Sequence, residues 1–122
     1  MSIKKNISEK KLIDLYYFAI GDENFIKALE KYCKGQGFGI EHIWCLFAGE
    51  LEDWEEGYFG DEGVCYFFDH PAVDKDETTV LDYPSFYAYL KEASEAYLSR
   101  HSDNRDIVES KLHEIKHRYK IV

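Results

Sequence analysis

Two histidines four residues apart on a predicted helix form the sharpest chemical pattern in the sequence. His113, Glu114, Ile115, Lys116 and His117 spell H-E-x-x-H. That spacing puts both imidazoles on one helix face, where they could share a Zn²⁺ with Glu114 as base. A catalytic zinc also needs a third ligand and a dry cavity. Only five residues follow His117, and Lys116 places a charge inside the motif. The apolar stripe of this helix runs through Leu112 and Ile115, which leaves His117 on the solvent side. The pair reads as surface histidines, and no metal is expected.

Three other patterns resolve the same way. Gly35, Gly37 and Gly39 form G-x-G-x-G, but they follow a helix and precede a strand, the reverse of a dinucleotide loop. They read as a helix stop and a tight turn. Asp69, His70, Asp74, Asp76 and Glu77 lack the spacing and central glycine of a calcium loop, and read as a solvated acidic loop. Cys33, Cys45 and Cys65 are odd in number, contain no C-x-x-C and lie in apolar contexts. They read as reduced structural thiols of a reducing compartment. No cofactor is implied.

Charge is more informative. The net charge is -9, and its excess sits in the middle of the chain. Residues 1–40 hold seven bases and five acids, and residues 83–122 hold seven bases and six acids. Residues 41–82 hold thirteen acids and one base, Lys75. Such a block repels nucleic acid, which argues against a nuclease built on the histidines, and attracts basic partners. The plain alternative is a solvated surface that keeps the protein soluble. Residues 50–63 (ELEDWEEGYFGDEG) differ from an ordinary acidic loop because aromatics are set among the acids. Trp54, Tyr58 and Phe59 are candidate anchors of a protein interface, with Glu52, Asp53, Glu55, Glu56, Asp61 and Glu62 as candidate charged contacts. Against this stands the reading that the rings cover the edge of a sheet.

The elements that must carry these residues follow from the hydrophobic period. Ser8 can cap a helix bearing Leu12, Leu15, Tyr16 and Ala19 on one face. After Gly21, Asp22 can cap a second helix with Phe25, Ile26, Leu29, Tyr32 and Cys33 inward, stopped by Gly35. Residues 40–47 (IEHIWCLF), 64–68 (VCYFF) and 78–81 (TTVL) read as strands, the second central with both faces covered. Asp82, Tyr83 and Pro84 open a helix with Phe86, Leu90, Ala93 and Tyr97 on one stripe. Ser102 or Asp103 caps the last, which carries Val108, Leu112, Ile115 and Tyr119. The expectation is one α+β domain over residues 1–122. It is a small antiparallel sheet of about three strands flanked by N-terminal and C-terminal helices. The N-terminus has lysines but no apolar run behind them, and no stretch is long enough to span a bilayer, so the expected place is the cytoplasm.

Several of these features together resemble a known family. Phe25, Ala28 and Leu29 come first, then the Gly35-Gln36-Gly37-Phe38-Gly39 turn and the Glu62-Gly63-Val64 entry to an apolar strand. The Phe86-Tyr87-x-Tyr89-Leu90 helix, Tyr97, Leu112 and Ile115 complete the set. In this order and spacing they resemble the ribonuclease-toxin immunity proteins of bacterial contact-dependent growth inhibition systems, over residues 22–119. The likeness is carried by structural motifs and is weakest over residues 41–63 and 69–77. It implies a protein without catalytic residues that binds and blocks the C-terminal ribonuclease toxin domain delivered by a neighbouring cell. It would act as a monomer, without touching nucleic acid or membrane itself. A ribonuclease must present a basic groove to RNA, which an acidic face with embedded aromatics can cover. Two other classes stay open on the residues alone: an acidic adaptor, antitoxin-like regulator or nucleic-acid mimic of another system, and an unrecognised enzyme.

The histidine pair yields a direct test. Purified protein is expected to carry no stoichiometric zinc, and its melting temperature to be the same with and without chelator. Stoichiometric zinc with a large chelator-induced loss of stability contradicts this.

Overall fold

The hydrophobic period changes twice along the chain, from helix to strand and back, and the architecture follows it. The computed structural model describes residues 2–121, with side chains described from Glu9 onward. The order is α1 (Ser2–Ile20), α2 (Asp22–Cys33), β1 (Gly39–Ile40), β2 (Ile43–Phe47), β3 (Val64–Phe68), β4 (Glu77–Leu81), α3 (Tyr83–Arg100) and α4 (Arg105–Arg118). Short 3₁₀ turns at Ala48–Glu50 and Ser102–Asn104 complete it. The α+β expectation holds.

The N-terminal helices differ from expectation in their caps and in one stripe. Helix α1 begins at Ser2, so Ser8 lies inside it and is not its cap. Its buried residues are Ile13, Tyr16 and Ile20, while Leu12, Leu15 and Ala19 are only partly covered. The stripe is therefore turned by about one residue from the predicted one. Gly21 separates the helices at φ 73°, ψ 170°, a region essentially reserved for glycine. It also occupies the cap position expected for Asp22. Asp22 instead opens α2 and ties it to the far end of α3. Its carboxylate accepts hydrogen bonds from Arg100 at 2.8 and 2.9 Å and from His101 at 2.9 Å. Phe25, Ala28, Leu29, Tyr32 and Cys33 form the buried face of α2.

The sheet is antiparallel throughout, in the order β1-β2-β3-β4. The run expected as one strand over residues 40–47 is two strands. The chain reverses at Glu41 and His42, with Glu41 at φ 44°, and Gly39 pairs back onto Trp44. Hence there are four strands where about three were expected. The chain before β1 lies so close to β2 that a side chain at Gly37 would overlap the Cys45 carbonyl. Close approach of two backbones requires glycine there.

One face of the sheet carries the helices. Ile43, Cys45 and Phe47 of β2 and Val64, Tyr66 and Phe68 of β3 are buried on it. Phe47 packs edge-on to Phe86 of α3 and stacks on Tyr119 just past α4. Asp82 caps α3 as expected, accepting from the Ser85 N–H at 2.8 Å. Helix α4 is preceded by Asn104, not capped by Ser102 or Asp103; the Asn104 amide instead donates to the Tyr97 hydroxyl at 2.7 Å. Val108, Leu112 and Ile115 are its buried stripe, as expected.

At the centre of this core is a polar node. The Tyr16 hydroxyl donates to the Phe38 carbonyl at 2.9 Å, and meets the Tyr32 hydroxyl and Cys45 Sγ. The proton count closes. Tyr16 gives its proton to the carbonyl, and its two lone pairs accept from Tyr32 and from the Cys45 thiol. Burial pushes both tyrosine hydroxyls far above their usual pKa and the Cys45 thiol up to about 11, so all three stay neutral.

Two expected outcomes follow from these contacts. Tyr16→Phe should cost about 1–3 kcal/mol in denaturant unfolding, because it strands the buried Tyr32 hydroxyl, while the Phe38 carbonyl keeps the Cys45 N–H. A loss below about 0.5 kcal/mol, the scale of an ordinary surface change, contradicts this. Asp22 is held at a pKa of about 2, below its usual 3.8, first by its hydrogen bond from Arg100 and then by His101. A depressed folded pKa gives stability that is present above the unfolded value and lost as pH falls through the folded one. The melting-temperature gap between the parent and Asp22→Asn should therefore be full above about pH 4 and shrink toward pH 2. The pair is partly exposed, so the gap should be modest. A gap that is unchanged across this window contradicts the assignment.

Candidate partner-binding surface

Antiparallel pairing decides where the acids go. Residues 48–63 join β2 to β3 at one end of the sheet, and Asp82 follows β4 at that same end, since Leu81 pairs with Val64 and Phe47 with Val64. The Glu41–His42 turn and residues 69–76 lie at the other end, beside Ile43, Phe68 and Glu77. Five-residue strands separate the two ends by about 17 Å. The acidic middle of the chain thus forms two clusters, not one. Glu52, Asp53, Glu55, Glu56, Asp61 and Glu62 are brought together at the first end. Glu41, Asp69, Asp74, Asp76 and Glu77 are at the second.

The loop over residues 50–63 is folded onto itself. Glu50 turns its carboxylate inward, accepting from the Phe47 N–H at 2.7 Å and the Gly37 N–H at 2.9 Å. Glu55 does the same locally, accepting from the Glu52 N–H at 2.8 Å. Two turns follow, with the Glu55 N–H on the Glu52 carbonyl and the Tyr58 N–H on the Glu55 carbonyl. The Tyr58 hydroxyl donates to Asp61 at 2.6 Å, and that carboxylate raises the tyrosine pKa. Gly63 closes the loop at φ 104°, where a side chain would press on the Leu81 carbonyl at 2.7 Å.

These bonds sort the candidate residues. Glu55 and Asp61 are held within the loop. Glu52, Asp53, Glu56 and Glu62 make no hydrogen bond or ion pair through their side chains among the described residues. Of the three candidate anchors, Trp54 is 79% exposed, so it is not covering the sheet. Tyr58 and Phe59 are partly covered. Ala48, Leu51, Glu52, Asp53, Tyr58 and Asp61 line a shallow depression of about 310 Å³. With three carboxylates around it, such a depression can receive a lysine or arginine side chain from a partner.

The charges elsewhere are treated differently. Among the described residues, ion pairs join Lys10 to Asp14 and Glu92, Arg100 and His101 to Asp22, and Arg105 to Glu109. All these partners lie in or directly beside helices. Among the described residues none of the thirteen acids of residues 41–82 takes part in one.

A second surface lies between the acidic clusters. The sheet face turned away from the helices carries Trp44 and Leu46 of β2, Cys65 and Phe67 of β3, and Thr78 and Val80 of β4. Trp44 and Phe67 stack with ring centroids 5.0 Å apart and planes within 10°. Cys65 is buried between its neighbours, and burial pushes its thiol up to about 11. Val80 is 49% exposed. The hydrophobic pattern alone does not single this face out. Its signal is present in IWCLF and VCYFF, where residues of both parities are apolar, so the face away from the core is apolar too.

The remaining candidates do not gather into a further site among the described residues. His113 and His117 are both exposed on α4. No group of three metal-capable side chains occurs among the described residues. Cys33, Cys45 and Cys65 are free thiols, all buried. Among the described residues, no helix is long and apolar enough to cross a membrane.

The sequence model of the CDI immunity proteins, where CDI stands for contact-dependent growth inhibition, matches residues 9–112. The match takes in the whole sheet, both acidic clusters and helices α2 and α3, and ends at Leu112, before the histidine pair. No curated protein matches the chain. A family match over most of the 122 residues is decisive: the chain belongs to the CDI immunity protein family.

Proposed function

We propose that this immunity protein is a single domain that neutralises a cognate ribonuclease toxin domain by laying an acidic face over its basic RNA-binding or active-site surface. The observation that carries the reading is the contrast in charge pairing. The helices compensate several of their acids internally, whereas residues 41–82 leave thirteen without an ion pair among the described residues. Unpaired like charges repel one another, so the arrangement costs some stability in the free protein. It produces a negative field that a basic partner relieves on binding. RNA-cleaving domains are basic partners by necessity, since they must hold a polyanion. The same field keeps RNA itself away from the protein. The depression beside Tyr58 offers carboxylates to a basic side chain, and the exposed Trp54 supplies an apolar anchor next to it. The protein then acts in the cytoplasm as a monomer, by exclusion of substrate and not by catalysis.

The test is binding and protection against the toxin domain encoded directly upstream of this chain. Rim charges set the association rate, so Glu52→Lys with Glu56→Lys should slow association and flatten its salt dependence. Both side chains are free of loop bonds, so the fold should be unaffected, as melting will show. Trp54→Ala should act mainly on dissociation, at a cost of about 2 kcal/mol or more. Addition of the parent protein should stop RNA cleavage by the toxin at one-to-one stoichiometry. The acidic-face mechanism is wrong if folded charge-reversal variants bind and protect like the parent while substitutions on α3 and α4 abolish binding. A toxin that binds but cleaves no RNA removes the ribonuclease part of the reading.

A further inference from the structure

We infer that the outer face of the sheet, centred on Trp44, Leu46, Phe67 and Val80, is the apolar centre of the toxin interface, with the two acidic clusters as its rim. The inference rests on the toxin-binding reading above and assigns the surface that performs it. Three observations meet here. First, the face is apolar across three strands and is turned away from the helices. The aromatic contacts between helices and sheet go to Phe47 and Tyr66 on the other face, whereas among the described residues Trp44 and Phe67 stack only on each other. Second, the loop that carries the first cluster enters the sheet beside this face, because a side chain at Gly63 would touch Val80. Third, the acids at both ends lack ion-pair partners among the described residues. An apolar patch framed by polar groups is the layout of a specific interface.

Area supports using the parts together. Three strands of this length offer a face of roughly 17 by 10 Å. A stable interface needs about 800 Å² from each partner. The face alone is too small, and so is the fourteen-residue loop of the first cluster. A partner that spans the face and reaches both clusters can meet the requirement. Its chemistry is set by charge. A second copy of this chain would bring its own unpaired acids against these, a like-charge arrangement that is strongly disfavoured. A basic protein domain with an apolar patch at the middle of its positive surface fits.

The chain has two tryptophans, Trp44 and Trp54, one on each part of the proposed surface. Protein labelled with 5-fluorotryptophan should therefore give two ¹⁹F resonances, assigned with Trp54→Phe. The probe is the toxin domain encoded directly upstream. On complex formation the Trp44 resonance should shift and lose its solvent isotope effect. Val80→Arg should weaken binding at least tenfold. Ile107→Arg and Phe18→Arg, at exposed apolar positions on α4 and α1 (41% and 84% exposed), should bind within about twofold of the parent, the scatter of a neutral surface change. A complex that forms with the Trp44 resonance unmoved and Val80→Arg binding like the parent overturns the inference and leaves the loop as the interface. If Val80→Arg does not fold, the Trp44 signal of the parent decides alone. Failure of the parent to bind this toxin at all is a different result, and refutes the toxin-binding reading itself.

Discussion

The hydroxyl of Tyr16 is where the fold is tied together. It lies on α1, reaches Tyr32 on α2, the Phe38 carbonyl just before β1, and Cys45 on β2. Four successive segments of the chain are thus held by one buried polar atom. A buried polar group is costly unless it is fully satisfied, and inside a low dielectric a satisfied one is strong and geometrically strict. That strictness fixes how α1 and α2 sit on the sheet. It also brings the chain before β1 against β2 so closely that only glycine fits at Gly37. From there Gly37 offers its N–H to Glu50, which simultaneously holds the Phe47 N–H. The root of the acidic loop is therefore anchored to the core node through two hydrogen bonds and a few residues of backbone.

This linkage separates two roles within one acidic segment. Glu50 is structural, because its carboxylate is spent on backbone donors. Glu55 and Asp61 shape the loop from inside. Glu52, Asp53, Glu56 and Glu62 contribute nothing to the loop's own bonding among the described residues. They can therefore vary without disturbing the scaffold that presents them, which is the property a partner-choosing surface needs. The same division holds across the molecule. Several helix acids are ion-paired, whereas among the described residues none of the acids at the sheet ends is.

The sequence made the elements legible and left their relations open. The runs VCYFF and DENFIKALEKYC carry clear periods, so β3 could be placed to the residue and α2 to within a residue or two. The break at Glu41 and His42 could not, because it depends on a positive φ at a non-glycine residue, and nothing in IEHIWCLF announces one. The caps expected at Ser8, Asp22 and Ser102 fail for a related reason. A capping residue type is a local signal, while Asp22 was claimed by Arg100 from the far end of α3. In the candidate site, the composition of residues 50–63 pointed to the loop. It could not show that Glu50 faces inward and Trp54 outward, since these follow from the Glu50 bonds to Phe47 and Gly37 and from the turns of the loop itself. The outer sheet face was harder still. A strand that is apolar on both parities usually signals two covered faces, and here the helices cover only one.

That last mismatch has a physical consequence. In a small α+β protein, an apolar sheet face without helices invites edge-on or face-on association. Acids at both ends of this sheet oppose association between copies, because any stacking of two such faces brings the clusters of one molecule toward those of the other. The screening length at physiological salt is about 8 Å, shorter than the roughly 17 Å between the clusters, so each end acts as an independent guard. The same guards favour a partner of opposite sign. On the proposed reading, an acidic frame around an apolar face opposes self-association and favours a basic partner with one and the same set of charges.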